Sequence, residues 1–395
     1  MSSSFTCPIC LQTEILEGPT VENLPVAHVI PSNYTPISDD FGRLTLSRCS
    51  SCTHLWNSAD TNQYLSQPFL TNRPVSPAMN RRHRELVESL DNGRRLRILD
   101  IGAGSGAISK GFAEKGHTVT AVDSQLRFLD GSSLDAVRIF STDWPVTELL
   151  REQFDLVLCV QVLEHIKQPF DFLQSILDVV SPNGCLYIEV PCGDWIIDNG
   201  SIIDLHLAHL HYFSDSSIST LMSRLDCSIL GRRKLLGGRD IGYLIQRSVS
   251  DSSPAQRFEP HQAGVLNFKK LIRSSSFLLQ NVAQLKGPTA VYGANGGSQS
   301  LFGWLPDGPW SLLLDDTSEY WGACGYSLAT RYPIVEPDTK VLKAHQNILI
   351  ASYIHDLRIS QKLLDLRYQG SIFTLRPPRV VELGPKSILE KAPIG

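Results

Sequence analysis

The stretch L-R-I-L-D-I-G-A-G-S-G-A-I-S, beginning at Leu96, constrains this chain more than any other. An apolar run (Leu96, Ile98, Leu99) ends in Asp100 and opens into Gly102, Gly104 and Gly106. Ala107, Ile108, Gly111 and Phe112 then recur at helical spacing. That is strand, glycine turn, helix. Glycines let the backbone turn tightly and leave no Cβ between the main chain and a bound nucleotide. The next apolar run, Thr118 to Val122, closes on Asp123 at the same carboxyl edge. A carboxylate there can accept from both hydroxyls of a ribose.

A dinucleotide site wants G-x-G-x-x-G, so that a pyrophosphate can rest on the helix N-terminus. This loop reads G-x-G-x-G and follows Asp100. A third strand over residues 138–140 leads to Asp143 and Trp144, and a fourth, Phe154 to Val160, leads into Q-V-L-E-H-I at Gln161 to Ile166. Phe172, Leu173, Ile176, Leu177 and Val180 have helical spacing, residues 181–184 (S-P-N-G) read as a turn, and residues 185–190 as a fifth strand. A helix capped by Ser214 and two further strands complete the pattern by residue 247. Residues 94–247 resemble the class I S-adenosylmethionine (SAM) methyltransferases. The resemblance implies an α/β Rossmann-like core. It also implies SAM held by Asp100, Gly102, Ala103, Gly104, Gly106, Asp123, Ser124, Asp143 and Trp144.

Two cysteine pairs, Cys7-x-x-Cys10 and Cys49-x-x-Cys52, precede that core. Each pair sets two thiolates on one side of a tight turn, and two such turns complete a tetrahedron around a structural zinc ion. A redox C-x-x-C explains one pair but not two, and buried free thiols are the other alternative. His54 would be a fifth ligand and is read as a bystander. Nine cysteines in 395 residues fit a reduced compartment with a metal site better than a disulfide scaffold, so a cytoplasmic location is expected. A net charge of −4 gives no electrostatic case for nucleic acid or an anionic membrane. No apolar run approaches the length that spans a bilayer.

The expected organisation is a zinc-binding module (1–60, rich in turns), a helical connector (61–93) and the methyltransferase core (94–247). A polar linker (248–262) then leads to a second Rossmann-like domain (263–395). In that last unit a strand ends at Tyr292 and the loop reads G-A-N-G-G-S, which departs from G-x-G-x-x-G. Whether this domain binds a ligand stays open.

Asp204 to Ser214 reads D-L-H-L-A-H-L-H-Y-F-S, just past the fifth strand. Methyl transfer from a sulfonium is an in-line displacement, which needs an aligned nucleophile and a base if that nucleophile starts protonated. Histidine suits the task near neutral pH. His206, His209, His211 and Tyr212 are candidates here, joined by His165 and Gln161 after the fourth strand. The competing reading makes these histidines ordinary satisfied polar groups. A metal site in H-x-x-H-x-H has no obvious carboxylate of its own. Glu164 reads as a helix-start carboxylate, or a group near the cofactor, rather than the base.

The order of the three parts is similar to that of the nucleotide-sugar C-methyltransferases that build branched deoxysugars. R-C-S-S-C-T-H-L at Arg48 to Leu55, V-L-E-H-I and Y-F-S carry the likeness. It implies a nucleotide-linked keto sugar as the small-molecule acceptor and His209 as the base that removes a proton next to the ketone. His165, Gln161 and Tyr212 would orient the acceptor. The family's H-E-H-x-x-Y-F-S is broken here by Leu207 and Ala208, and His206 or His211 would have to compensate for the missing Glu. The alternatives are an O- or N-methyltransferase of another natural-product or glycan precursor, and a non-catalytic ligand-binding assembly protein. A nicotinamide enzyme is disfavoured by the C-terminal glycine loop. Oligomeric state is not legible.

Overall fold

Three sheets organise the residues that the computed structural model describes, which are 6–27, 29–59, 77–124, 136–248, 263–352, 355–376 and 379–383. Part of the expected connector (61–76) and nearly all of the expected linker (249–262) lie outside the described residues.

The first sheet begins with β1 (Ile15–Pro25), β2 (Phe41–Cys49) and β3 (Leu55–Asn57). The sequence predicts a stretch rich in turns here, without naming these strands. Register breaks after Glu17 and Val21 in the antiparallel β1–β2 pair interrupt the period-two alternation by which strands are recognised.

The middle unit runs α1 (Pro77–Leu90), β4 (Arg97–Ile101), α2 (Ala107–Glu114), β5 (Thr118–Val122), β6 (Val137–Phe140) and β7 (Phe154–Val160). It continues through α3 (Pro169–Leu177), β8 (Val180–Pro191), α4 (Gly193–Asn199), β9 (His211–Tyr212), α5 (Asp215–Arg224), β10 (Cys227–Leu235) and β11 (Asp240–Arg247). Its sheet has the order β10-β11-β8-β7-β4-β5-β6, parallel from β8 to β6, with an antiparallel β10–β11 hairpin at the far edge. The order reverses at β4, and ligands of open α/β sheets bind at that crevice. Residues 181–184 are no separate turn. They are an irregularity within β8, whose pairing with β7 jumps from Phe154↔Val180 to Leu156↔Cys185.

A third sheet follows the long α6 (Ala263–Ala283). Its elements are β12 (Thr289–Tyr292), α7 (Gly296–Trp304), β13 (Trp310–Leu314), β14 (Cys324–Tyr326), β15 (Arg331–Val335), α8 (Thr339–Lys343), β16 (Asn347–Ile350), α9 (Asp356–Asp365), β17 (Ser371–Arg376) and β18 (Arg379–Glu382). The order is β14-β15-β13-β12-β16-β17-β18, with antiparallel strands at both edges. At the start of α7 the side chain of Asn295 accepts from the amides of Gly297 (2.8 Å) and Ser298 (3.3 Å). A phosphate would need those same amides.

The unexpected join is β9. It leaves the middle sheet and pairs with β3, Leu55↔Tyr212 and Trp56↔His211, so the first sheet has the order β1-β2-β3-β9. Apolar packing follows the same course. Cys7, Ile9, Cys49, Cys52 and Trp56 share one buried cluster with Leu99, Val157 and Ile188 of the middle sheet. Leu44, Leu55, Leu205, Tyr212, Leu301 and Phe302 share another, which spans all three units. The histidine-rich segment is thereby clamped where the three sheets meet. No described helix is long and apolar enough to cross a membrane.

Candidate functional site

A cavity of about 600 Å³ opens at the carboxyl edge of β4, β5 and β7. Asp100, Gly102, Ala103, Gly104, Asp123, Ser124, Asp143, Trp144, Gln161 and His165 all line it. Gly106 does not. It is the N-cap of α2, with a φ of +70° that favours glycine.

The glycine turn is shaped by its neighbours. Gly102 has a φ of +71°, and a Cβ there would stand 2.2 Å from Cγ2 of Val162. Gly104 donates its amide to Oδ2 of Asp123 across 2.9 Å, which ties the end of β5 to the loop after β4. Asp100 is buried and accepts a 2.6 Å hydrogen bond from the hydroxyl of Ser109. Burial pushes its carboxyl up to about 6, against the help of that bond.

Sequence reasoning missed one wall of the cavity. Met79, Arg82, His83 and Leu86 of α1 line it. Arg82 is ion-paired with the buried Glu189, and its Nη1 is 2.9 Å from Oδ2 of the buried Asp240. Tyr187 donates to the other oxygen of Glu189 at 3.0 Å. Burial and the Arg82 charge hold His83 down at about 4. The sequence shows only a helical connector here, with no sign of the partners of Arg82 on β8 and β11.

The histidines separate into two groups. Nδ1 of His165 donates to the carbonyl of Ala208 at 2.6 Å, which joins the loop after β7 to the histidine segment. The His209 ring lies 5.0 Å from that of His165 and 3.8 Å from that of His206, centroid to centroid. Burial, then the neighbouring His206 and His165, hold His209 well below the usual imidazole range. Glu164 sits beneath this group, fully buried, with its carboxyl pushed up to about 8 by burial. The side-chain amide of Gln161 is buried without a hydrogen-bond partner for Nε2, on a residue held at a φ of +56°.

Two expectations need correction. His211 is not with the others. Alternate residues of a strand face opposite ways, and β9 turns His211 towards the N-terminal module, where Nδ1 meets Nε2 of His54 at 3.0 Å. Burial holds it at about 4. Nor is Tyr212 placed to orient an acceptor. Its buried hydroxyl donates to the carbonyl of His206 (3.2 Å) and accepts from the same residue's amide (3.1 Å), which staples the histidine loop. His54, read as a bystander, is that buried partner of His211.

The four N-terminal cysteines converge. Their sulfur atoms lie within 4.8 Å of one another, Cys7–Cys52 at 3.5 Å and Cys10–Cys49 at 3.4 Å, and none is in a disulfide. Main-chain amides of Ile9 and Cys52 point at the sulfurs of Cys7 and Cys49, at 3.4 and 3.5 Å. Arg48 is buried beside them, with Nε and Nη1 lacking partners. Nη2 of Arg48 faces Oδ1 of Asp194 at 3.8 Å, and four clustered thiols with amide donors beside a buried cation fit an anionic Zn(Cys)₄ centre. All four ligand positions would be filled by protein, which makes such a centre structural.

Residues 72–230 match the family model described as a methyltransferase domain. The mitochondrial ubiquinone biosynthesis O-methyltransferase of Schizosaccharomyces pombe is 38% identical over 107 residues, 24% of this chain and 37% of that protein. The ubiquinone biosynthesis O-methyltransferase of Pseudomonas entomophila is 32% identical over 101 residues, 24% of this chain and 43% of that protein. The chain thus spans less than half the length of these curated relatives. A solved O-methyltransferase family protein from Burkholderia thailandensis aligns at 17% identity over 44% of this chain and 58% of its own, with a TM-score of 0.37. A likeness that loose decides nothing further. With the α/β sheet whose order reverses at β4 and the matched segment lying across it, this chain carries a methyltransferase domain in residues 72–230.

Proposed function

We propose that the chain is a SAM-dependent methyltransferase acting on a small polar acceptor, a nucleotide-linked keto-deoxysugar methylated at carbon. The observation that carries the first half is the bond between Gly104 and Asp123 at the rim of the cavity, beside a turn that only glycine fits. SAM, when bound, supplies an electrophilic methyl group on a sulfonium. Asp123 would hold the ribose hydroxyls, Gly102–Gly104 would back the amino-acid end, and Asp143 and Trp144 would contact the adenine. Trp144 is held for that by its indole N–H, which donates to Ser175 at 2.9 Å.

The acceptor would enter between Gln161, His165 and the His206–His209 pair. The unpartnered Gln161 amide suits an acceptor oxygen. The proton next to the ketone would pass to that histidine pair, in which burial keeps His209 neutral. A base so placed is worth roughly 10²–10⁴ in rate. Support for a sugar acceptor is the order of the parts: four-cysteine module, methyltransferase core, second α/β unit.

A second reading, O-methylation, is favoured by the relatives, which are named O-methyltransferases. Product NMR separates the two after incubation with SAM and a panel of nucleotide-linked keto sugars. A new C–CH₃ signal supports the first reading and an O–CH₃ signal the second. Failure to turn over any sugar in the panel, with SAM binding intact, overturns the acceptor class.

A further inference from the structure

Glu164 is fully buried, and neither carboxylate oxygen has a hydrogen-bond partner. Burying a carboxylate unpaired is costly, so such a group asks for a proton or a cation. Two imidazoles face it. Nε2 of His165 stands 3.9 Å and Nε2 of His209 4.0 Å from Oε1, too far for hydrogen bonds. The three ligand atoms lie within 4.8 Å of one another.

The hydrogen bonding of His165 decides which of its nitrogens carries the proton. The Ala208 carbonyl can only accept, so Nδ1 carries the proton and Nε2 turns a lone pair towards Glu164. A histidine whose outer N–H is fixed on a backbone carbonyl while its inner nitrogen faces a carboxylate is arranged as metal ligands are. An ion between the three would need shifts of only about half an ångström to bring each ligand to the ~2.1 Å of zinc–imidazole and zinc–carboxylate bonds. Two imidazoles and a carboxylate suit a zinc-class ion better than magnesium or calcium.

We propose that Glu164, His165 and His209 bind a divalent zinc-class ion with a coordination position open towards the acceptor. His165 lines the cavity, which gives that position its access. The metal site stands on this geometry alone, and its catalytic use rests on the methyltransferase reading above. In that use the ion polarises the acceptor oxygen and lowers the pKa of the adjoining C–H or of the hydroxyl itself. The proton goes to His206, the histidine left unligated. The acceptor–methyl bond forms as the sulfur–methyl bond breaks, and the ion's oxidation state is unchanged. Within the His206–His209 pair, His209 then serves as ligand and His206 as base.

The test loads the full-length protein with Co(II) as the zinc probe and counts bound metal while recording absorption. A four-cysteine site gives an intense thiolate charge-transfer band, and the new site adds metal without adding to that band. The expected result is about two equivalents in the wild type and about one in E164Q and in H209A. The charge-transfer band and the affinity for S-adenosylhomocysteine should stay within about twofold, which also shows that the variants fold. E164Q is nearly isosteric, so it is the safer of the two. One equivalent in the saturated wild type overturns the proposal, as does a second equivalent that survives both substitutions. Two metals without S-adenosylhomocysteine binding would overturn the donor reading and leave the metal site standing.

Discussion

A methyl group added to Gly102 would stand 2.2 Å from Cγ2 of Val162, the residue that follows Gln161 beyond β7. Two loops of the sheet's carboxyl edge therefore touch at a point where no side chain fits. The backbone adds its own demand, since Gly102 has a φ of +71°. G102A should cost roughly 1–3 kcal/mol from the forced contact, plus about 1 kcal/mol from the left-handed backbone. Denaturant unfolding would measure that loss. Calorimetry should show affinity for S-adenosylhomocysteine reduced at least tenfold, and an unchanged affinity would mean that the turn does not back the ligand.

Asp123 accepts from the Gly104 amide at 2.9 Å. D123A removes that acceptor and the proposed partner of the ribose. Losing a hydrogen bond to a charged group costs about 1.5–3 kcal/mol, so S-adenosylhomocysteine should bind roughly 10–100-fold more weakly. Melting of the unliganded protein should fall far less, because Asp123 lies at the cavity rim.

Arg82 ties α1 to β8 and β11 through two buried carboxylates, Glu189 and Asp240. R82M leaves Glu189 without a cation and Asp240 with Arg239 alone, at 4.0 Å, and should destabilise the protein by about 3–5 kcal/mol. The triple variant R82M/E189Q/D240N removes the stranded charges as well and should recover most of that loss in urea unfolding. If the single and triple variants are equally unstable, packing rather than charge holds α1 in place.

The pH dependence of stability should carry the signature of Asp100. Its folded pKa is raised from 3.8 to about 6 by burial. Between those values the native state holds a proton that the unfolded chain has released, so stability falls as pH rises. The contribution is fully present below pH 3.8 and is lost by pH above about 6. Relative to D100N, the wild type should lose up to about 3 kcal/mol across that window and nothing further above it. Paired thermal melts of ligand-free protein from pH 4 to 7 would record it, and a constant difference would show that Asp100 is ionised throughout.

How much of this was legible depended on how local each signal is. The turn from Asp100 to Gly106 could be read because strand, glycines and helix are contiguous. The cavity wall from α1 could not, because Arg82 meets Glu189 and Asp240 only after the chain has crossed the sheet several times. The histidine segment was half legible. Its position after β8 was clear, but the two residues of β9 are too short to show a period, so nothing marked His211 as facing His54. Glu164 was passed over because a carboxylate at a helix start is ordinary in a sequence. Only burial without a partner makes it unusual.

Calorimetric titration of the full-length protein with S-adenosylhomocysteine tests the central claim most directly. Saturable binding at one site per chain, weakened by D123A and by G102A, is the predicted result. A flat titration of wild-type protein that melts cooperatively would contradict the account, because a folded cavity lined by Asp123 and the Gly102 turn would then have no use for the methyl donor.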